Sequence, residues 1–320
     1  MTELENKITA TILGGAIGDA LGVPVEFKAR DTFKVTAMIG HGTYNQPKGT
    51  WSDDTSLTLC LIENIIESGN EESLMKKFSN YYTHGYMTPH GECFDIGGTT
   101  VRAINSFMVG TLVDKCGQFG ENDNGNGSLM RIAPVAFLNI AEETAISRIA
   151  KVEQYSIITH AHPRSVFGCF IYTEYLRQLY LGKTKTEALE IITDIHSVKL
   201  YETMFKIELS QYSRILNKEI GNVQRESIRS GGYIVDTLEA ALWCFLKHDN
   251  YRDTVLEAIN LGGDTDTTGI VAGSLAGMYY GLDGLPNEWI NALARIDYIK
   301  ELCAKFSNVC KYEKKKSFTK

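Results

Sequence analysis

Two apolar segments of this chain carry a glycine at every fourth position, and that spacing restricts how the chain can fold. The glycines are Gly14, Gly18 and Gly22 in the first segment and Gly269, Gly273, Gly277 and Gly281 in the second. Apolar residues around them recur at helical spacing, so each segment is predicted to be a helix with one face cleared of side chains. Glycine inside a helix costs up to about 1 kcal/mol. We therefore expect both helices to lie deep in the fold, with backbones packed unusually close to each other or to a third element.

The rest of the pattern predicts an all-α fold built as a single compact domain. Helices are predicted over 5–21, 54–68, 71–83, 142–158, 163–181 and 287–308, near Thr99, after Gly231 and after Asp266, with a less regular helical region over 184–230. Residues 23–50 carry turn residues and little periodicity, which indicates a long loop. No strand pattern or linker is visible, and there is no repeat of about 20–50 residues. The domain is predicted to span 1–310, followed by a basic tail over 311–320.

Composition excludes several classes of partner and location. The chain has 320 residues, of which 43% are hydrophobic, and a formal net charge of −7. That balance argues against a general binder of nucleic acid or of anionic membranes. The N-terminus is polar and lacks a signal-peptide pattern, and no transmembrane helix is expected. Seven cysteines are scattered singly without a CxxC motif, which favours reduced thiols and a cytoplasmic location.

Two clusters of carboxylates each lie at a predicted helix start. Asp53 and Asp54 follow Ser52 in one cluster, and Asp264 and Asp266 are interleaved with threonines in the other. Aspartate, serine and threonine are common helix caps, so two ordinary capped helices would explain the pattern. Adjacent carboxylates repel each other unless a positive charge separates them. Four of them, together with hydroxyls, also provide the hard oxygen ligands that magnesium, manganese or calcium prefer.

Polar loops supply three further candidates. Glu26 lies at the root of the 23–50 loop, whose length is typical of lids and binding loops, and a solvated loop carboxylate is its ordinary interpretation. Asp95 precedes the helix predicted near Thr99, which it could cap. The loop 117–128 is rich in asparagine and glycine and could present backbone N–H groups to a phosphate. It lacks the lysine of a P-loop, so a flexible surface turn is the alternative.

Taken together and in order, these segments resemble the ADP-ribosylglycohydrolase family, which includes the dinitrogenase-reductase-activating glycohydrolases. The similar stretches are 14–22 with Glu26, 51–55, 95–97, 125–131, Thr159-His160, 232–239 and 262–267. They cover most of the chain from residue 14 to about 290, and the ordered set is far more specific than any single stretch.

The resemblance implies an all-helical fold with a central cleft that holds two divalent metal ions, Mg2+ or Mn2+. The positions that match the family's metal ligands are Ser52, Asp53, Asp54, Asp264, Asp266 and Thr267. The family usually has threonine where Ser52 stands, and either hydroxyl can ligate. Glu26 matches a mobile acidic residue at the cleft mouth, and Asp95 matches a carboxylate that faces the substrate guanidinium in the arginine-specific members. Both are candidates for the proton transfers of the reaction, with their acid and base roles open. The region that holds the diphosphate is matched by Asn124, Gly125, Asn126 and His160, and Tyr233 matches a residue that stacks on the ligand.

The implied activity is hydrolysis of the N-glycosidic bond between ADP-ribose and an arginine side chain of a modified protein, with ADP-ribose as product. Alternatives are the same hydrolysis on another linkage (serine, a nucleobase or a free ADP-ribose derivative). A further alternative is an immunity protein that counters an ADP-ribosylating toxin partly by binding it. A catalyst should lose function on Asp54→Ala or Asp264→Ala, whereas a steric blocker should not.

Overall fold

The computed structural model describes residues 1–140, 142 and 144–317, and the regular secondary structure of this part of the chain is helical. It contains the α-helices α1 (Glu3–Gly22), α2 (Asp53–Ile66), α3 (Glu71–His84), α4 (Gly98–Met108), α5 (Val135–Leu138), α6 (Ala145–Ser156), α7 (Pro163–Tyr180), α8 (Lys185–Ile192), α9 (Ile195–Met204), α10 (Ser213–Leu216), α11 (Ile234–Lys247), α12 (Tyr251–Asn260), α13 (Thr265–Tyr280), α14 (Asn287–Ile290) and α15 (Ile296–Ser317). The described residues contribute only isolated β-bridges. The predicted all-α class is confirmed.

Helices α1 and α13 form the centre of the fold and touch backbone to backbone. A Cβ added at Gly18 would lie 2.0 Å from the carbonyl oxygen of Gly269, and one added at Gly14 would lie 2.5 Å from that of Gly273. Residue numbers rise along one helix as they fall along the other, so the two helices run antiparallel. The prediction that the two glycine stripes mark closely packed, buried helices is confirmed, and the helices pack against each other.

Three helix ends meet at one point because of this packing. Gly22 at the end of α1 lies against the backbone of Asp266 in the first turn of α13, and the Thr265 hydroxyl donates to the Gly22 carbonyl over 2.9 Å. The start of α2 is attached to the same place through Asp19 of α1. Its carboxylate accepts hydrogen bonds from the backbone N–H groups of Ser52 and Thr55, over 2.9 and 3.0 Å. Both predicted acidic clusters are thereby brought to one end of the central helix pair.

Several predicted boundaries are wrong in detail. The helix predicted over 287–308 is two helices, α14 and α15, which are separated near Arg295, a residue with φ of 48°. The second of them continues through Ser317, across the start of the predicted tail at 311. Positions 318–320 of that tail lie outside the described residues. Helix α12 has no counterpart in the prediction. The long loop over 23–50 contains only two short 3-10 turns.

The first helix is relevant to the expectation that the chain has no transmembrane helix. The stretch Glu3–Val25 is long and apolar enough to cross a membrane by length and composition, which the sequence analysis did not foresee. Its apolar window is entirely buried among other helices of the fold. That is the environment of a core helix, in agreement with its contacts to α13.

Candidate metal centre and active site

A cleft of about 340 Å³ opens where α1, α2 and α13 meet. It is lined by Glu26, Phe27, Asp53, Asp95, Ile96, Gly97, Gly98, Thr99, Thr100, Gly125, Asn126, Gly127, Met130, His160, Gly232, Asp264 and Thr267. Its lining combines carboxylates with glycines, threonines and a histidine. The sequence candidates thus converge from segments far apart in the chain.

A group of buried carboxylates forms a floor beneath the cleft, and three of its members, Asp19, Asp54 and Asp266, do not themselves line the cleft. Oxygens of Asp19, Asp54 and Asp266 lie within 4.8 Å of one another, and so do oxygens of Glu26, Asp95 and Asp266. Burial, followed by the charges of neighbouring carboxylates, raises the pKa of Asp54 and Asp266 well above the usual range. Asp266 belongs to both groups, so the two form one continuous acidic site.

Three carboxylate oxygens of this site are buried without a hydrogen-bond partner. They are Oδ2 of Asp54, Oδ1 of Asp264 and Oε2 of Glu26. The other oxygens of the two aspartates do have donors, because Thr267 donates to Asp54 over 3.3 Å and Asn126 donates to Asp264 over 2.8 Å. Buried charged oxygens are normally paired or coordinate a metal. Among the described residues, no lysine, arginine or histidine forms a salt bridge with these carboxylates, so the donor set fits divalent cations.

The remaining predicted ligands lie beside this set. Asp53 lines the cleft and accepts a hydrogen bond from the backbone N–H of Gly97 over 3.3 Å. Thr267 also lines it. Ser52 is buried and caps α2, and its Oγ accepts from the Asp54 N–H over 3.3 Å. The Ser52 hydroxyl does not line the cleft, although Ser52 adjoins the aspartates that form the floor.

Glu26 and Asp95 stand at the rim, close to Asp266. The pKa of Glu26 is raised to about 8, first by burial and then by the charges of Asp95 and Asp264. Burial also raises the pKa of Asp95. Asp95 does not cap the following helix, because α4 begins after Gly97 and has no side-chain cap. Its carboxylate is instead part of the cleft.

The part of the lining formed by α4 and the Gly125–Gly127 loop, here called the anion end, has the features of an anion site. The uncapped N-terminus of α4 and the backbone of Gly125–Gly127 face the cleft, and His160 lies beside them. Burial and the nearby charge of Arg131 lower the pKa of His160 to about 3, so the imidazole is neutral. A Cβ at Gly127 would lie 2.8 Å from the His160 ring, so only glycine lets this loop approach.

Two of the predicted diphosphate and stacking residues have their side chains engaged elsewhere. The Asn124 amide group donates to the Glu121 carbonyl over 3.0 Å and accepts from Ser165 over 3.0 Å. The Tyr233 hydroxyl donates to Gln211 over 3.2 Å. Neither side chain lines the cleft. Backbone contacts nevertheless place both beside it, since the Ile234 N–H donates to the Asn124 carbonyl over 3.0 Å.

Comparison with known proteins identifies the family of this chain. The family model described as ADP-ribosylglycohydrolase matches residues 1–316. The chain belongs to the ADP-ribosylglycohydrolase family. A relative in Serratia proteamaculans, named ADP-ribosylarginine hydrolase Tri1, is 33% identical over 94% of this chain and 79% of its own length. The ADP-ribosyl-[dinitrogen reductase] glycohydrolase of Rhodospirillum rubrum is 26% identical over 91% of each chain. A solved structure titled ADP-ribosylglycohydrolase-related protein complex aligns with a TM-score of 0.80 and 28% identity, covering 97% of this chain and all of its own.

Three residues of this glycohydrolase site were missed by the sequence reasoning. Asp19 fixes the start of α2, as described above. Arg131 is fully buried, donates to the carbonyl of Gly127, and also donates to Tyr155 and Thr159, which anchors the glycine loop beside His160. Thr100 presents a buried hydroxyl oxygen without a partner to the cleft. The aspartate and the arginine stand inside the quoted family stretches, so the signal was present but was interpreted only as part of a motif.

Proposed function

We propose that this ADP-ribosylglycohydrolase removes ADP-ribose from arginine side chains of modified proteins and depends on two divalent metal ions, Mg2+ or Mn2+. The observation that carries the proposal is the cluster of buried, partly unpartnered carboxylates in a cleft whose other end suits an anion. The linkage is supported by two relatives, each 33% identical to this chain over more than nine-tenths of its length and each named an ADP-ribosylarginine hydrolase.

The residues that would hold the metals are Ser52, Asp53, Asp54, Asp264, Asp266 and Thr267. Four carboxylates so close together repel one another when ionised, and cations would offset that repulsion. The chemistry that such metals supply when bound is orientation of the ribose diol and a lowered pKa of a water molecule. In our proposal Asp19 supports the metal ligands indirectly. Its carboxylate accepts hydrogen bonds from the backbone at the start of α2 and so keeps Asp53 and Asp54 in place.

Glu26 and Asp95 are the proposed proton-transfer groups. Hydrolysis at the anomeric carbon passes through an oxocarbenium-like state, in which one group accepts the proton of the attacking water and another protonates the leaving nitrogen. Both carboxylates lie at the rim beside Asp266, and burial raises the pKa of each. A raised pKa allows one of them to hold a proton near neutral pH, as a general acid requires.

The two ends of the cleft suit the two ends of the substrate. The acidic rim attracts a cationic arginine side chain, and the α4 N-terminus with the Gly125–Gly127 loop offers N–H groups to the diphosphate. Neutral His160 can hydrogen-bond there without carrying charge. We propose that the enzyme acts in the cytoplasm, in agreement with the seven free cysteines, six of which are buried.

The test measures release of free ADP-ribose from an arginine-ADP-ribosylated protein, with a serine-linked protein in parallel. Each substrate is incubated with magnesium, with manganese or with EDTA. Asp264→Ala is the site variant. Asp236→Ala is the matched control, because Asp236 also lies in the first turn of a helix but does not line the cleft. Metal-dependent release from arginine that is lost only in Asp264→Ala is the expected result.

The other outcomes separate the alternatives. Release of ADP-ribose from the serine-linked protein but not from the arginine-linked one would support the active site and contradict the arginine linkage. Inactivity on both substrates, together with inhibition of an ADP-ribosylating toxin that persists in Asp264→Ala, would favour the immunity protein that acts by binding its partner.

A further inference from the structure

A second concave surface lies directly beside the mouth of the cleft. It has a volume of about 490 Å³ and is formed by residues 27–30 and 228–231 together with Leu261 and Gly263. Phe27 lines both this surface and the cleft, and its side chain is 70% exposed. The chain passes directly from one to the other at three points, 26–27, 231–232 and 263–264. A ligand that extends out of the cleft past Phe27 therefore lies over this second surface.

The second surface is basic, in contrast to the acidic rim of the cleft. Lys28, Arg30 and Arg229 belong to it, and none of the described residues that line it is acidic. Lys28 and Arg229 are exposed, and neither forms a salt bridge with a residue in the described part of the chain. The neighbouring Arg225, by contrast, is paired with carboxylates of Asp31 and Glu257, over 3.0 and 2.9 Å. Unpaired positive charge is thus concentrated here in a protein whose net charge is −7.

Arg30 holds the two segments of this basic surface together. Its guanidinium donates over 2.9, 2.7 and 2.5 Å to three backbone carbonyls, those of Leu261, Arg225 and Ile228. The Phe27 N–H donates to the Gly263 carbonyl over 2.7 Å, and the Gly263 N–H donates to the Lys28 carbonyl over 2.9 Å. Because carbonyl acceptors are neutral, they do not cancel the charge of Arg30. The backbone at Lys28 and Arg229 is therefore fixed before any ligand binds.

We propose that the basic surface binds acidic side chains that flank the modified arginine in the substrate protein. The inference rests on the function proposed above, in which the acidic rim receives the arginine side chain. That side chain must extend from the rim to its own backbone, and the exposed ring of Phe27 suits contact with its methylene groups. The flanking residues then lie over Lys28 and Arg229, whose charged groups bind carboxylates. The surface thereby adds a sequence preference to the chemistry of the cleft.

The test measures kcat/KM for ADP-ribose release from two arginine-ADP-ribosylated peptides and from ADP-ribosylated agmatine. One peptide has glutamates beside the modified arginine and the other has alanines there, whereas agmatine has no flanking residues. Two exposed ion pairs together should give the wild type about a tenfold preference for the glutamate peptide. About 0.5 M NaCl should largely abolish this preference, because salt screens exposed charges.

Three double variants separate charge from structure. Lys28→Gln with Arg229→Gln removes both charges, so this uncharged variant should lose the preference and keep the wild-type kcat/KM on ADP-ribosylated agmatine. Lys28→Arg with Arg229→Lys exchanges the side chains and should retain the preference. Lys206→Gln with Lys300→Gln is the matched control, because both lysines are exposed and lie outside the cleft and the basic surface. The control should match the wild type on all three substrates.

Equal rates on the two peptides in the wild type would overturn the inference, and so would loss of the preference in the exchanged variant. An uncharged variant that is equally impaired on ADP-ribosylated agmatine, or that binds ADP-ribose more weakly in calorimetry, would also overturn it, because the two charges would then serve the cleft. If the wild type releases nothing from any arginine-linked substrate, the proposed function fails. Fluorescence anisotropy of the labelled glutamate peptide then still tests the basic surface. Tighter binding by the wild type than by the uncharged variant would support the surface, and equal binding would overturn it.

Discussion

The floor and the rim of the cleft are built in different ways. The floor carboxylates stand at the ends of α2 and α13, which are fixed by main-chain contacts such as that between Gly22 and the backbone of Asp266. The rim carboxylates, Glu26 and Asp95, stand on segments without α-helix. The Thr43 hydroxyl donates to the Glu26 carbonyl over 2.8 Å, and the ring of Tyr44 packs against that of Phe94. One half of the site thus depends on backbone packing and the other on individual hydrogen bonds and ring contacts.

This difference separates two kinds of substitution. A change in the backbone packing below the floor should alter the stability of the whole domain, because the central helix pair has no space for additional atoms. A change in the rim or the anion end should alter a rate or an affinity in a protein that folds normally. The predictions below test that separation.

The largest effect is expected for Asp54→Asn in the floor. The substitution keeps the shape of the side chain and removes a charge that we assign to metal binding, so ADP-ribose release should fall about 10³-fold, as for loss of a preorganised electrostatic group. Melting of the metal-free variant should occur at the wild-type temperature or above it, because like-charge repulsion is relieved. Asp236→Asn is the control in both assays. Activity within tenfold of wild type would contradict the assignment of Asp54 as a ligand.

Gly18→Ala should destabilise the domain by about 3 kcal/mol, the upper part of the range for overpacking. The new methyl group would lie 2.0 Å from the carbonyl oxygen of Gly269, so one of the two central helices must move. Urea denaturation of the metal-free protein measures the change. Gly221→Ala serves as the control, because the nearest atom to its added Cβ is 3.8 Å away on Leu246. A loss below about 0.5 kcal/mol, the size of an ordinary surface substitution, would show that the helix pair can adjust.

The same contrast explains how much could be predicted from the sequence. The floor was predictable, because glycine spacing marks close helix contact and paired aspartates at helix starts mark an acidic cluster. Tyr44 could not be predicted from pattern, since its position depends on a turn formed by His41–Gln46 that has no periodicity. Asn124 and Tyr233 matched family positions, yet their side chains are held by Ser165 and Gln211 through contacts that no local pattern encodes.

Stability of the metal-free protein should fall as pH rises from about 5 to about 8. The pKa of Glu26 is raised to about 8 in the folded chain, and those of Asp54 and Asp266 are also raised. A carboxyl with a raised folded-state pKa binds its proton more tightly when folded, so its contribution is complete below the unfolded pKa and is lost as pH rises through the folded value. We expect a loss of about 2 kcal/mol over this window, which is less than the pKa shifts alone would give, because the groups are coupled.

Melting curves in EDTA and in excess magnesium measure this pH effect. Magnesium should raise the melting temperature more at pH 8 than at pH 6, because protons compete with the cation for the same oxygens. A metal-free protein whose melting temperature is constant or rises between pH 5 and pH 8 would contradict the account of an uncompensated acidic floor.

The smallest effect is expected at the anion end, for Thr100→Val. Its buried hydroxyl oxygen faces the cleft without a partner among the described residues, so it can donate a hydrogen bond to a bound phosphate oxygen. A hydrogen bond to a charged acceptor contributes about 1.5 kcal/mol at the lower end of its range, so the affinity for ADP-ribose should fall about tenfold. Calorimetric titration with ADP-ribose measures it, with Thr254→Val as control, because that hydroxyl donates within α12 to the Asn250 carbonyl over 2.8 Å. Removal of an unpaired buried hydroxyl should leave the melting temperature unchanged or higher. If Thr100→Val binds ADP-ribose with wild-type affinity but has a lower melting temperature, Thr100 stabilises the fold. Substitutions at the anion end would then change stability and not affinity, which contradicts the distinction drawn above.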